Sequence, residues 1–87
     1  MKAVERLWWG VEWHTTNKVD GDRRDLIWDG HPPHVFPHLF RTRRECRAHI
    51  AETWGYLQDR PDLKAEPFGW RRPRPVRVLM RIEKVVL

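Results

Sequence analysis

The chain has 87 residues, 40% of them hydrophobic and 33% charged, with a formal net charge of +5. That length suits a single small domain over residues 1–87 with a modest core, and the one cysteine, Cys46, excludes an internal disulfide and any Cys-based zinc knuckle. No apolar run approaches the roughly 20 residues of a membrane span and no export-type leader pattern opens the sequence, so a soluble, cytoplasmic protein with no membrane partner is expected.

Residues 4–16 alternate Leu7, Trp9, Val11 and Trp13 against Arg6, Trp8, Gly10, Glu12 and His14, a period of two that predicts a half-buried strand. Asp20-Gly21 is expected to supply the two positive φ values of a tight hairpin turn. Arg24 to Trp28 then returns as a second strand, with Leu26 and Trp28 on one face. Residues 29–38 hold three prolines and a glycine and read as a loop or irregular edge. Thr42-Arg43-Arg44-Glu45 is a capping box, in which the Thr42 oxygen satisfies an exposed helix N–H and Glu45 returns the bond. Cys46, Ile50, Trp54 and Leu57 follow at steps of four, four and three, one apolar stripe on a helix from about Arg43 to about Gln58. Arg60-Pro61 closes it. Residues 59–75, with Pro61, Pro67, Pro73, Pro75 and Gly69, read as an extended connection. Last, Val76, Val78, Met80 and Ile82 alternate with Arg77, Leu79, Arg81 and Glu83, a strand whose apolar face is expected to meet the helix.

The simplest architecture that buries these stripes is an α+β fold: a three-stranded sheet in β-β-α-β order with one helix packed on one face. Trp9, Trp13, Trp28 and Trp54 then belong to the core or its rim, where each aromatic buries about 150–250 Å². Trp8 stands on the opposite strand face from Trp9. A second face bearing Trp8 and Leu79 among arginines reads as a protein interface, for a homodimer or a partner.

Arginine outnumbers lysine 13 to 4 and is concentrated in two segments. Arg41, Arg43, Arg44 and Arg47 stand against Glu45 alone; Arg71, Arg72, Arg74, Arg77 and Arg81 occupy a stretch with no acid. Together these segments carry +8, and the remainder sums to −3. Guanidinium favours bidentate contact with phosphate or carboxylate, and the first cluster opens a helix whose amides already favour an anion. In the second, Trp70 beside Arg71, Arg72 and Arg74 offers a stacking ring within a proline-stiffened basic arm. Nucleic acid or an acidic protein surface is the partner this pattern fits. The structural alternative is that Trp70 packs on the sheet while Arg71–Arg74 bond the acidic connection at Asp59, Asp62 and Glu66.

Catalysis has little to stand on. Cys46 and His49 are an i, i+3 pair, but Cys46 lies on the apolar stripe, where free cysteine behaves as a small hydrophobe. No phosphate-cradling glycine loop, H-E-x-x-H or G-x-S-x-G occurs. His31, His34 and His38 have zinc-compatible spacings, yet Pro32, Pro33 and Pro37 forbid the helix that would converge them, and whether they bind metal stays open. A non-enzymatic protein without a cofactor is expected.

Asn17-Lys-Val-Asp-Gly, Leu39-Phe-Arg-Thr-Arg-Arg-Glu, Trp54-Gly-Tyr-Leu-Gln-Asp-Arg-Pro-Asp-Leu and Glu66-Pro-Phe-Gly-Trp-Arg resemble a group of short proteins encoded by phages and prophages of GC-rich bacteria. The resemblance covers most of residues 7–83. It implies a bacterial cytoplasm and a phage accessory role, and brings no site residues. Small phage proteins of this size resemble either minor nucleic-acid binders or inhibitors of host complexes, anti-CRISPR proteins among them.

Overall fold

The computed structural model describes residues 3–86. Strand β1 (Val4–Asn17) is the axis of the molecule. It pairs antiparallel on one side with β6 (Trp70–Ile82) from Val4↔Ile82 to Thr15↔Trp70, with a register shift between Glu12 and His14. On its other side it pairs with β2 (Gly21–Leu26) and with the two-residue β5 (Leu39–Phe40). These four strands form one sheet, and β3 (Trp28–His31) and β4 (His34–Pro37) form a separate two-stranded one. The α+β class stands. The expected three-stranded sheet is replaced by sheets of four and two strands.

The β1–β2 turn occupies Lys18–Asp20 and closes on the Asn17↔Gly21 pair. Gly21 alone has positive φ, at 71°, and Asp20 does not. A three-residue loop needs one left-handed residue after its turn, whereas the expected two-residue form needs two. Asn17 fixes the loop by accepting the Asp20 amide on Oδ1 at 2.6 Å.

Thr42 caps α1 (Arg43–Trp54), its Oγ1 accepting the Glu45 amide at 3.1 Å. The helix ends earlier than its apolar stripe. A 3₁₀ segment, Gly55–Asp59, carries the buried Leu57, and a single turn, α2 (Pro61–Lys64), follows. The Trp9 face of the sheet receives α1: Val11, Cys46 and Ile50 form the core, flanked by Trp9, Ile27, Phe40 and Trp54. Trp13 extends this packing against Trp54, with ring centroids 6.4 Å apart.

Three further expectations are corrected. Residues 70–75 are strand rather than connection, because Pro73 and Pro75 sit on an edge strand where no ladder donor is missed. The stretch 29–38 is largely a hairpin turned at Pro32-Pro33, and its Trp28 is 55% exposed rather than part of the core. The stripe Val76, Val78, Met80 and Ile82 does not meet the helix. Register pairs it with Gly10, Trp8, Arg6 and Val4, so it lies on the opposite face. There Gly10 keeps the β1 backbone bare: a Cβ would stand 2.7 Å from Val78 Cγ2 and 2.8 Å from Leu26 Cδ1.

Candidate anion-binding groove

Trp9 is where the two arginine clusters meet. Directly across the ladder from it on β6 is Arg77, whose guanidinium carbon lies 4.8 Å from the indole centroid. Arg43, the first residue of α1, approaches the same ring at 5.9 Å. Cation–π contacts of this kind contribute about 0.5–1 kcal/mol each at exposed sites. A guanidinium whose face rests on a ring keeps its in-plane N–H groups free to donate.

One helical turn on, Arg47 lines a groove between α1 and β6 with Ile50, Arg72, Pro73, Arg74 and Pro75, enclosing about 180 Å³. The prolines stiffen its strand wall. Among the described residues, no carboxylate lies within 4.0 Å of Arg43, Arg44, Arg47, Arg72 or Arg77. Four guanidinium groups without acidic partners are therefore placed on this side of the sheet, Arg47 and Arg72 lining the groove and Arg43 and Arg77 at Trp9.

Of the remaining nominated residues, Arg74 lines the groove but is paired with an acid, and the others do not line it. Arg74 donates to Glu12 Oε1 at 3.0 Å, and Arg81 lies 3.4 Å from Glu83 and 3.9 Å from Glu5. Arg71 donates to the carbonyls of Lys64 and Trp70 at 2.9 and 3.1 Å. Trp70 packs edge-on against Trp13 and Phe68, so it is no free stacking platform. Arg41 parts from its cluster: it follows β5, whose register carries it to the Trp8 side. Trp8 and Leu79 do not share a face. Trp8 stands opposite Val78, while Leu79 stands opposite Leu7 on the Trp9 side, 58% exposed.

The acidic connection does not neutralise the arm. Asp62 is held by Arg60 at 2.8 and 2.9 Å, a pairing that lowers the Asp62 carboxyl from its usual range. Glu66 accepts the Lys18 amide at 3.0 Å. The sequence assigns Trp9 to the core or its rim; its second role, gathering Arg43 and Arg77, depends on a cross-strand register that no spacing in the sequence announces.

The histidines separate as well. His31 and His34 pair across the hairpin turn, while His38 bonds Asp29 at 2.7 Å, stacks on Phe40 and meets His49 at a tilt. Among the described residues, no group of three or more His, Cys, Asp or Glu side chains is placed to hold a metal ion. Cys46 is buried and donates its S–H to the Gly10 carbonyl at 3.3 Å, and burial pushes its thiol pKa up. A raised pKa with no access leaves little thiolate to react. Native protein at pH 8 is therefore expected to react with a thiol-directed disulfide reagent at least about 100-fold more slowly than protein in guanidinium; equal rates would contradict the burial.

Among the described residues, no helix is long and apolar enough to cross a membrane. No family model matches the chain, and searches of curated proteins and of solved structures return no match.

Proposed function

We propose that the protein is a non-enzymatic binding module that holds the phosphate backbone of a nucleic acid in the groove between α1 and β6. The observation that carries this reading is the convergence of Arg43 and Arg77 on Trp9, with Arg47 and Arg72 lining the groove between α1 and β6 and, among the described residues, no carboxylate within 4.0 Å of any of the four. The start of α1 adds the partial positive charge of its free amides to the same end of the groove. The resemblance to phage proteins fits such a role in a bacterial cell.

Chemistry limits what the groove reads. Arg77 covers one approach to Trp9, and Trp70 is taken up in packing, so contact is to phosphates rather than to stacked bases. Binding then has little sequence preference and falls steeply with salt. Neutralising four phosphates of a single strand gives a slope of about −3 in log K against log salt. Fluorescence anisotropy with mixed-sequence single-stranded DNA and RNA, from 20 to about 300 mM salt, tests this. Absence of binding at the lowest salt removes the proposal.

The runner-up is a protein–protein inhibitor of a host complex. Its form anchored jointly on Trp8 and Leu79 loses support from their separation onto two faces. What favours a protein partner is a different feature, the edge of β1 beside Trp8.

A further inference from the structure

Strand β1 is paired by β6 along nearly its whole length, but its other side meets only β2, from Glu12 to Asn17, and β5, at Trp9 and Gly10. Among the described residues, Val4 to Trp8 carry no strand on that side. The Val11 carbonyl points there, accepting the Ile27 amide at 2.8 Å. Main-chain groups alternate sides along a strand, so Leu7 and Glu5 turn their N–H and C=O groups toward the open edge. Beside this edge is a cavity of about 400 Å³ lined by Arg6, Leu7, Trp8 and Arg41. Arg6 and Arg41 are exposed, and among the described residues neither has a carboxylate within 4.0 Å. The Trp8 Nε1–H is buried without a hydrogen-bond acceptor.

We infer that this edge accepts an extended acidic peptide segment of a partner protein as an added strand, its main chain pairing with Glu5 and Leu7 and its carboxylates meeting Arg6 and Arg41. Successive same-face side chains of a strand stand about 6.7 Å apart, so acids at alternate positions present a row of charge to the two guanidinium groups. The ladder selects the class of ligand. Leu7 and Glu5 offer carbonyls that need donors, and a phosphate backbone has none to give. A second copy of this chain is disfavoured at the same place in two registers. Antiparallel pairing centred on Glu5 sets Glu5 against Glu5, and centring on Arg6 sets Arg6 against Arg6; like charges directly opposite are destabilising. The site lies at the sheet edge by Trp8 and is independent of the groove at Trp9.

The probe is an acetylated, amidated octapeptide of alternating Glu and Val, with the Lys–Val analogue as control. Amide hydrogen exchange and ¹⁵N shifts are read on the full chain. Saturating Glu–Val peptide is expected to slow exchange at Glu5 and Leu7 at least about tenfold, with Lys–Val peptide ineffective. The double variant Arg6→Ala, Arg41→Ala is expected to weaken binding at least tenfold. Arg6→Lys, Arg41→Lys retains most of it and guards against a folding defect. Arg43→Glu, Arg47→Glu, Arg77→Glu leaves it unchanged, so this site can fail or hold apart from the groove. The inference is overturned if Glu5 and Leu7 gain no protection, if the Lys–Val peptide protects equally, or if the Arg6→Ala, Arg41→Ala variant binds as tightly as the parent. It is also overturned if a mixed-sequence oligonucleotide protects these amides, or if raising the protein concentration alone does.

Discussion

Changing Arg43, Arg47 and Arg77 together to glutamate is expected to lower single-stranded nucleic-acid affinity by at least about 100-fold at 50 mM salt and to flatten the salt slope by about 2. Each reversal removes one phosphate contact and adds a repulsion within the groove. Arg43 and Arg77 act through the same ring, at 5.9 and 4.8 Å from Trp9, so their losses are coupled rather than additive. The matched control is Arg23→Glu, Arg24→Glu, Arg60→Glu, which makes the same change in net charge away from the groove. Its affinity is expected to fall less than about tenfold, because long-range attraction is screened within about 10 Å at 0.1 M salt. Equal losses in both variants would mean that net charge, not the groove, does the binding. Far-UV circular dichroism checks that α1 persists; Glu at its first position suits the helix dipole.

The largest effect on folding is expected at Gly69. Its φ is +63°, and a Cβ there would overlap the Thr16 carbonyl oxygen, a backbone atom that cannot swing aside. The approach is tight because the Thr16 amide donates to the Gly69 carbonyl at 2.7 Å and Asn17 Nδ2 donates to the Phe68 carbonyl at 3.1 Å. These bonds start β6 in register and set Trp70 against Trp13, so they also decide where Arg72 and Arg77 fall. Left-handed backbone alone costs a non-glycine residue about 1–2 kcal/mol, and the overlap adds to it. Gly69→Ala is therefore expected to lose more than about 2 kcal/mol and about 10 °C in Tm. Gly21 has φ +71° and nothing within 4 Å of its Cβ position, so Gly21→Ala loses only the backbone part. Gly55, helical with open space, is expected to gain about 0.4–1 kcal/mol as alanine. Thermal denaturation of the three variants reads the order directly. A Gly69→Ala protein as stable as Gly55→Ala would contradict the close approach of β1 and β6.

The features legible in the sequence were those set by local spacing. Thr42 and Glu45 mark the start of α1 because capping is a matter of four adjacent residues. The alternation around Trp9 and Trp13 marks β1 because a strand's period is two. What escaped was register. The stripe Val76–Ile82 is as apolar as a core face should be, yet it faces away from α1, while Arg77 occupies the core side. An arginine can do this because its stem and flat guanidinium cover an indole much as an aliphatic residue would. The same register placed Trp8 and Leu79 on opposite faces, and that of β5 drew Arg41 from its neighbours. The start of β6 escaped for a different reason: proline reads as a breaker, and nothing in residues 70–75 says that their outer edge is unpaired.

The two charged segments thus acquire separate meanings. Arg43, Arg47, Arg72 and Arg77 gather on the helix side, where Trp9 orders two of them; Arg41 joins Arg6 at the open edge. Arg71, Arg74 and Arg81 are bonded within the fold. The basic composition therefore overstates the number of groups available to an anion.

The most direct measurement is a nuclear magnetic resonance titration of the full chain with a mixed-sequence single-stranded oligonucleotide, following arginine Nε–H and tryptophan Nε1–H signals. The account predicts that the Arg43, Arg47, Arg72, Arg77 and Trp9 signals shift together and reverse on adding salt. Shifts confined to Arg6, Arg41 and Trp8, or to the bonded Arg71 and Arg81, would contradict it.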